Sequence, residues 1–316
     1  MYLWQIRHIP NGHQTLLRLT ISAACCAAVA ISSLSLTRSV AAQTDETTTQ
    51  KINTEQQGSA PKEFLDRVRQ ELPQHQSIKA ELLQVVSIGD QQFKIQGEYL
   101  SAGKKLRLTY SVMPDQGAKG EMLEVCDGKE LWTLLKLPDS KRITRRNIQT
   151  ILAAAVAARK RDIPETSISV ELGLGGITAL LSSLERTMEF DAMKTEQIDG
   201  QPTTILQGRW KKEIAQRFPK DKDDTLPPFM PDLIRLYVNN QTLFPEKVLY
   251  LKKIPAKKSF KSLVSLEFRH VEFDVPVQDS TFVFEMQKDD DVVPEDVTKQ
   301  YVDRITNPGG TEPAPK

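Results

Sequence analysis

The chain has 316 residues, 39% of them hydrophobic and 6% aromatic, which suffices for a packed core in one large domain or two small ones. Net charge is +1, and the first 42 residues hold Arg7, Arg18 and Arg38 and no acid, so the remainder carries 39 basic against 41 acidic residues. That balance gives no electrostatic basis for a nucleic-acid partner.

The N-terminus is polar and weakly basic through Arg18, apolar from Leu19 to Leu36, and reaches the small residues of Ser39-Val-Ala-Ala42. Residues 1–42 therefore read as a cleaved export signal. An uncleaved anchor is the alternative, since eighteen weakly apolar residues are only just long enough to span a bilayer. Lipidation at Cys25 is disfavoured because Ser22-Ala-Ala-Cys25 lacks a Leu three residues before the Cys. Cys25 and Cys26 leave with the signal, so Cys126 has no disulfide partner and stability must come from packing. Residues 43–61, rich in Thr, Gln, Glu and Ser, read as a disordered linker.

A helix is predicted from Lys62 to Leu72, with Phe64, Leu65, Val68 and Leu72 on one face and Pro73 ending it. Period-two alternation then takes over. Ile78 to Ser87 reads as a strand. Phe93, Ile95 and Tyr99 share one face of the next, and Leu106, Leu108, Tyr110 and Val112 share one face of a third. Val125-Cys-Asp-Gly-Lys-Glu-Leu131 predicts a hairpin with a type I′ turn at Asp127-Gly128. Lys141-Arg-Ile-Thr-Arg-Arg146 reads as a basic link.

From Asn147 the period is helical, with Ile148, Ile151, Leu152, Ala155 and Val156 in one stripe. Gly173-Leu-Gly-Gly176 lacks the spacing and the Lys of a phosphate loop and reads as a hinge. A second helix follows from Ile177 to Met188, with Ile177, Leu180, Leu181 and Leu184 inward. Strands resume at 193–198 and 203–210 around Asp199-Gly200. Further strands fall at 233–238, 247–252, 263–273 and, last, 281–286, with a polar loop over about 220–231. The tail from 304 to 316 reads as disordered by composition.

Little here supports catalysis. His75 and His270 are the histidines left after the signal, and each lacks Cys or carboxylate partners at metal-ligand spacing. No Gly-x-Ser-x-Gly elbow exists, and Asp289-Asp-Asp291 lacks the spacing of a calcium loop. Neither a metal nor a cofactor is expected, and the chain is not read as an enzyme. Lys252, Lys253, Lys257, Lys258 and Lys261 make a basic hairpin loop, solvated or facing anionic headgroups.

The element order, with Gly97-Glu-Tyr99, Leu106-Arg-Leu-Thr-Tyr110, Val125-Cys-Asp-Gly-Lys-Glu-Leu-Trp132, Ile234-Arg-Leu-Tyr-Val238, Thr242-Leu-Phe-Pro245 and Asp279-Ser-Thr-Phe-Val-Phe284, resembles the LolA-type periplasmic lipoprotein carriers over about residues 62–303. The resemblance implies an α+β, mainly antiparallel fold, an unclosed barrel of about eleven strands with an N-terminal helix and inserted lid helices. It implies a periplasmic monomer that holds acyl chains of lipoproteins or lipids. An inner-membrane transporter and an outer-membrane acceptor would then be its partners. An envelope-stress sensor acting through a membrane protein is the alternative on the same half-barrel. The helical stripes are either a fixed plug on the sheet or a lid over a cavity. Under the lid reading that cavity is lined by Phe93, Ile95, Tyr99, Leu106, Leu108, Tyr110, Ile151, Leu152, Leu180, Leu181 and Leu184. Arg107, on a suitable strand for the family's lid-locking arginine, falls by alternation on the polar face.

Overall fold

The computed structural model describes residues 60–88, 91–114, 119–160, 175–216, 218, 226–228, 230–254, 259–287 and 292–306. The expected signal, nearly all of the linker, most of the 220–231 loop, Lys257, Lys258, Asp289–Asp291 and residues 307–316 lie outside them. No described helix is long and apolar enough to cross a membrane.

Helix α1 (Ala60–Glu71) buries Leu65 and Val68, one turn apart on one face, and the adjacent Leu72. Pro73 cannot continue an α-helix, and a short 3-10 turn (Leu72–Gln74) follows. The chain then enters a single sheet. Strands β1 (Ile78–Ile88), β2 (Gln91–Ala102), β3 (Lys105–Pro114), β4 (Gly120–Cys126), β5 (Glu130–Leu137) and β6 (Ser140–Asn147) pair antiparallel in sequence order. Two helices follow, α2 (Ile148–Lys160) and α3 (Gly176–Thr187). After them come β7 (Met188–Ile198), β8 (Gln201–Trp210), a single turn of helix α4 (Lys212–Ala215), β9 (Leu233–Asn239), β10 (Pro245–Ile254) and β11 (Ser259–Phe273). Strand β11 pairs with β1, which gives the order β12-β6-β5-β4-β3-β2-β1-β11-β10-β9-β8-β7. The sheet is unclosed, with twelve strands against the eleven expected. The extra one is β12 (Glu295–Asp296), which lies parallel to β6.

Three local expectations need correction. The Asp127-Gly128 hairpin is not a two-residue type I′ turn. Asp127 keeps negative φ, and its carboxylate accepts hydrogen bonds from the Lys129 and Glu130 amides at 2.7 and 2.8 Å. That Asx arrangement makes a three-residue loop in which Gly128 alone takes positive φ. At Asp199-Gly200, by contrast, both residues have positive φ and join β7 to β8 directly. The basic link 141–146 is strand β6: Ile143 is buried on the outer face, and Arg146 points inward to a buried carboxylate. The last predicted strand, 281–286, is instead a 3-10 turn (Asp279–Phe282) and extended chain, and helix α5 (Thr298–Thr306) follows β12.

The C-terminal segment is a strap. Lys105 pairs with Asp279 at 2.6 Å, Arg107 donates to the Thr281 carbonyl at 3.2 Å, and Phe282 is buried. Phe284 then stacks on Trp132 with centroids 5.1 Å apart. Arg107 and Trp132 project from the outer face of the sheet, since each pairs across from Val125 and not from the inward residues. The strap thus crosses the outer face, covers the β6 edge as β12, and ends in α5 against α2. Arg107 anchors the strap and not a lid.

Candidate binding face

The inner face carries the apolar side of the alternation. Ile95, Tyr99, Leu106, Leu108 and Tyr110 form one buried cluster with Leu82, Leu206, Leu236, Val248, Leu266 and Phe268 from neighbouring strands. Gly97 has no room for a Cβ, which would lie 1.6 Å from the Thr109 carbonyl oxygen, so the absent side chain lets β3 approach at the centre of this face. Helices α1 and α3 cover the cluster. Leu65 and Val68 come from one, and Ile177, Leu180, Leu181 and Leu184 from the other.

Helix α3 is entered through Gly175 and Gly176, at φ 125° and 64°. A Cβ on Gly176 would lie 2.6 Å from the Tyr99 hydroxyl. The first turn of a helix leaves amides without intrahelical acceptors, and here the Ile177 amide donates to Tyr99 Oη at 3.3 Å. Burial pushes the Tyr99 phenol up, so it stays protonated through the physiological range. Arg69 of α1 pairs with Glu185 of α3 and reaches Ser182 at 3.5 Å. At its other end α3 runs straight into β7 without a loop.

Not all eleven expected lining residues come together. Ile95, Tyr99, Leu106, Leu108, Tyr110, Leu180, Leu181 and Leu184 do, in the cluster under α3. Phe93 is buried outside that cluster. Ile151 is buried on α2, but Leu152 is 50% exposed and Val156 44%. A helix turns by about 100° per residue, so the stripe of α2 that packs on α5 and β5 takes Ile148 and Ile151 and leaves Leu152 outside. The two inserted helices are therefore not one lid: α3 lies on the apolar cluster, and α2 lies with α5 at the other flank.

In this structure α1 and α3 pack on the apolar cluster of the inner face. Leu108, Leu181 and Leu184 have no measurable solvent contact, which leaves no water-sized space beside them. Two hollows among the described residues are lined chiefly from the outer side of β1, β2 and β3 and reach some inner-face residues. One, about 60 Å³, is lined by Lys79, Glu98, Tyr99, Leu100, Arg107 and Thr109, and an open cleft of about 670 Å³ by Glu81, Leu82, Leu83, Gln96, Gly97, Glu98, Ser111, Lys119, Glu121 and Arg269.

Sequence reasoning missed the polar half of the inner face. Glu124 and Arg146, 1% and 2% exposed, pair at 3.2 Å. Thr133 donates to Glu124 at 3.2 Å and accepts from Arg146 at 2.9 Å. Tyr301 of α5 hydrogen-bonds Arg146 through its hydroxyl and lies under the guanidinium, 4.8 Å from ring centroid to carbon. The signal was in β4: Glu124 falls at the same parity as Met122 and Cys126, a carboxylate at a core position that requires a cation.

The two histidines singled out in the sequence each meet a carboxylate that lies far from them in the chain. His75 meets Asp274 at 3.1 Å and stacks on Phe273, and His270 meets Glu81 at 3.1 Å. No group of three or more His, Cys, Asp or Glu side chains that would hold a metal occurs among the described residues. Burial pushes the Cys126 thiol up, away from thiolate reactivity. Lys252, expected in a basic loop, is a buried β10 side chain bonded to Asp232 at 3.1 Å and to the Leu226 carbonyl at 2.8 Å.

No protein-family model matches the chain, and no curated protein sequence does. Among solved structures it is similar to a DUF1329 family protein from Desulfovibrio piger, at 13% identity and TM-score 0.30, over 72% of this chain and 97% of that one. It is also similar to MucB in complex with MucA(peri), at 13% identity and TM-score 0.31, over 70% of this chain and 58% of that one. A third is a putative outer membrane lipoprotein-sorting protein domain from Vibrio parahaemolyticus, at 12% identity and TM-score 0.28, over 70% and 97%. Likenesses at this level carry no statement about what this chain binds.

Proposed function

We propose that the chain is an exported, periplasmic, non-enzymatic carrier that shields acyl chains of lipoproteins or lipids against the inner face of its unclosed sheet. An inner-membrane transporter would load it and an outer-membrane acceptor unload it. One observation supports this reading above the rest. The helix that covers the apolar cluster, α3, enters through two consecutive glycines of positive φ and meets the sheet chiefly with Ile177, Leu180, Leu181 and Leu184. The guest takes the place of α3 and does not occupy a standing cavity.

The energies on the two sides of such an exchange are comparable. Uncovering four buried aliphatic side chains costs roughly 6–12 kcal/mol at about 1.5–3 kcal/mol each. A fourteen-carbon chain gains roughly 10 kcal/mol at ~0.8 kcal/mol per methylene. Near balance is what a carrier that must also release its load requires. The test is titration of the mature chain with a pyrene-labelled fatty acyl chain while hydrogen exchange is followed at residues 176–187. Shielded pyrene together with faster exchange in α3 is the expected result. No binding, or binding with α3 protection unchanged, overturns the proposal.

A second reading is a regulatory module on the same half-barrel that acts through a membrane-protein partner. It is favoured by the inner face being completed by the chain's own helices. Co-purification of a stoichiometric membrane protein, without lipid, selects it.

A further inference from the structure

The two edges of the sheet are treated differently. Strand β6 is covered by β12 and the helix that follows it, whereas β7 ends the strand order and, among the described residues, is paired through β8 alone. Met188 and Phe190 belong to the core, and a register shift between Phe190 and Ala192 leaves Asp191 turned to Arg209. Beyond that bulge Ala192–Ile198 pairs with Gln201–Gln207 without interruption, and Met193 to Gln197 are all exposed. A run of this length without proline is a template for another strand.

We propose that β7 pairs antiparallel with β7 of a second copy of this chain about a two-fold axis at Thr195, which joins the two sheets into one. This departs from the monomer expected from sequence. The register follows from the residues. Met193 and Thr195 face inward, opposite Leu206 and Thr204, and Lys194 and Glu196 face outward. A continuous sheet keeps inward residues opposite inward ones, so the axis passes through a residue and not between two. An axis at Lys194 sets Lys opposite Lys, and one at Glu196 sets Glu opposite Glu. Only the central axis, at Thr195, places Lys194 opposite Glu196 of the second copy, twice by symmetry, with Thr195 opposite itself and Met193 opposite Gln197. Opposite charges across an antiparallel pair stabilise it and like charges oppose it. Within one chain Lys194 and Glu196 already lie in contact, so the pairing joins two ion pairs into a ring of four alternating charges.

The experiment is sedimentation equilibrium over a concentration series on the mature chain and three charge variants, with a fourth variant for cross-linking. The unaltered chain is expected to double in mass as concentration rises. Lys194→Glu and Glu196→Lys, both at exposed positions, are each expected to remain monomeric with unchanged circular dichroism, and the double swap to restore the dimer. Thr195→Cys is expected to form a disulfide-linked dimer on mild oxidation, because the axis places that residue against itself. A chain that stays monomeric at the highest concentration reached, or single swaps that dimerise as well as the unaltered protein, overturns the proposal. This readout is independent of any lipid.

Discussion

The inner face of the sheet is closed at its two flanks by opposite chemistry. Under α1 and α3 the contacts with the sheet are mainly aliphatic and aromatic, and α3 is entered through two glycines. Under α2 and α5 the contacts centre on Arg146, Glu124 and Thr133, which have almost no solvent contact, and on the half-buried Tyr301. Apolar packing has no preferred direction, so the α3 flank can trade one greasy occupant for another. A buried ion pair tolerates only a partner of matching charge and geometry. Under the proposed carrier function, the contrast places movement at the α3 flank and anchorage at the other, within a single sheet.

The largest effect is expected at the anchored flank. Arg146→Ala leaves Glu124 charged and buried, and is expected to cost about 3–5 kcal/mol of folding stability in urea denaturation. A loss under 1 kcal/mol would show that the network does not anchor the flank. At the apolar flank Leu181→Ala is expected to cost ~2–5 kcal/mol, with the loss concentrated in faster hydrogen exchange of α1 and α3 and little change in α5. Uniform loosening of both flanks would erase the distinction. Tyr99→Phe removes the acceptor of the Ile177 amide and is expected to cost ~1 kcal/mol, read as increased exchange at the start of α3.

The smallest effect concerns pH at the strap. The Arg142 guanidinium hydrogen-bonded to Glu295 holds that carboxyl below its usual range, and hydrogen bonds from Thr298 do the same for Asp296. A carboxyl depressed in the folded state contributes stability that is fully present above its unfolded pKa and lost as pH falls through the lower folded value. The β12 and α5 clasp should therefore loosen below the ordinary carboxylate range, visible as shifts in the Thr298 and Tyr301 resonances before those of α3. Simultaneous change at both flanks would remove the assignment.

Much of this arrangement was legible in the sequence, for particular reasons. Strands β2 and β3 alternate strictly, so the inward set from Ile95 to Tyr110 was readable from period two alone. Helices α1 and α3 were readable from the spacing of Leu65 and Val68 and of Ile177, Leu180, Leu181 and Leu184. Strand β6 was hidden because its alternating positions carry arginines whose inward partner, Glu124, is 22 residues away. The path of the strap was hidden because it depends on contacts such as Arg107 with Thr281, 174 residues apart. That α2 and α3 serve different flanks was hidden for the same reason: both have apolar stripes, and only tertiary contacts decide what each stripe meets.

The most direct test of the account is native mass spectrometry of the freshly purified mature chain, paired with solvent extraction and lipid analysis of the same sample. The account predicts adducts with the mass of an acyl lipid that disappear on delipidation, while circular dichroism shows the fold retained with α3 returned to the sheet. A folded protein that carries only its polypeptide mass, with no extractable lipid in any preparation, contradicts it.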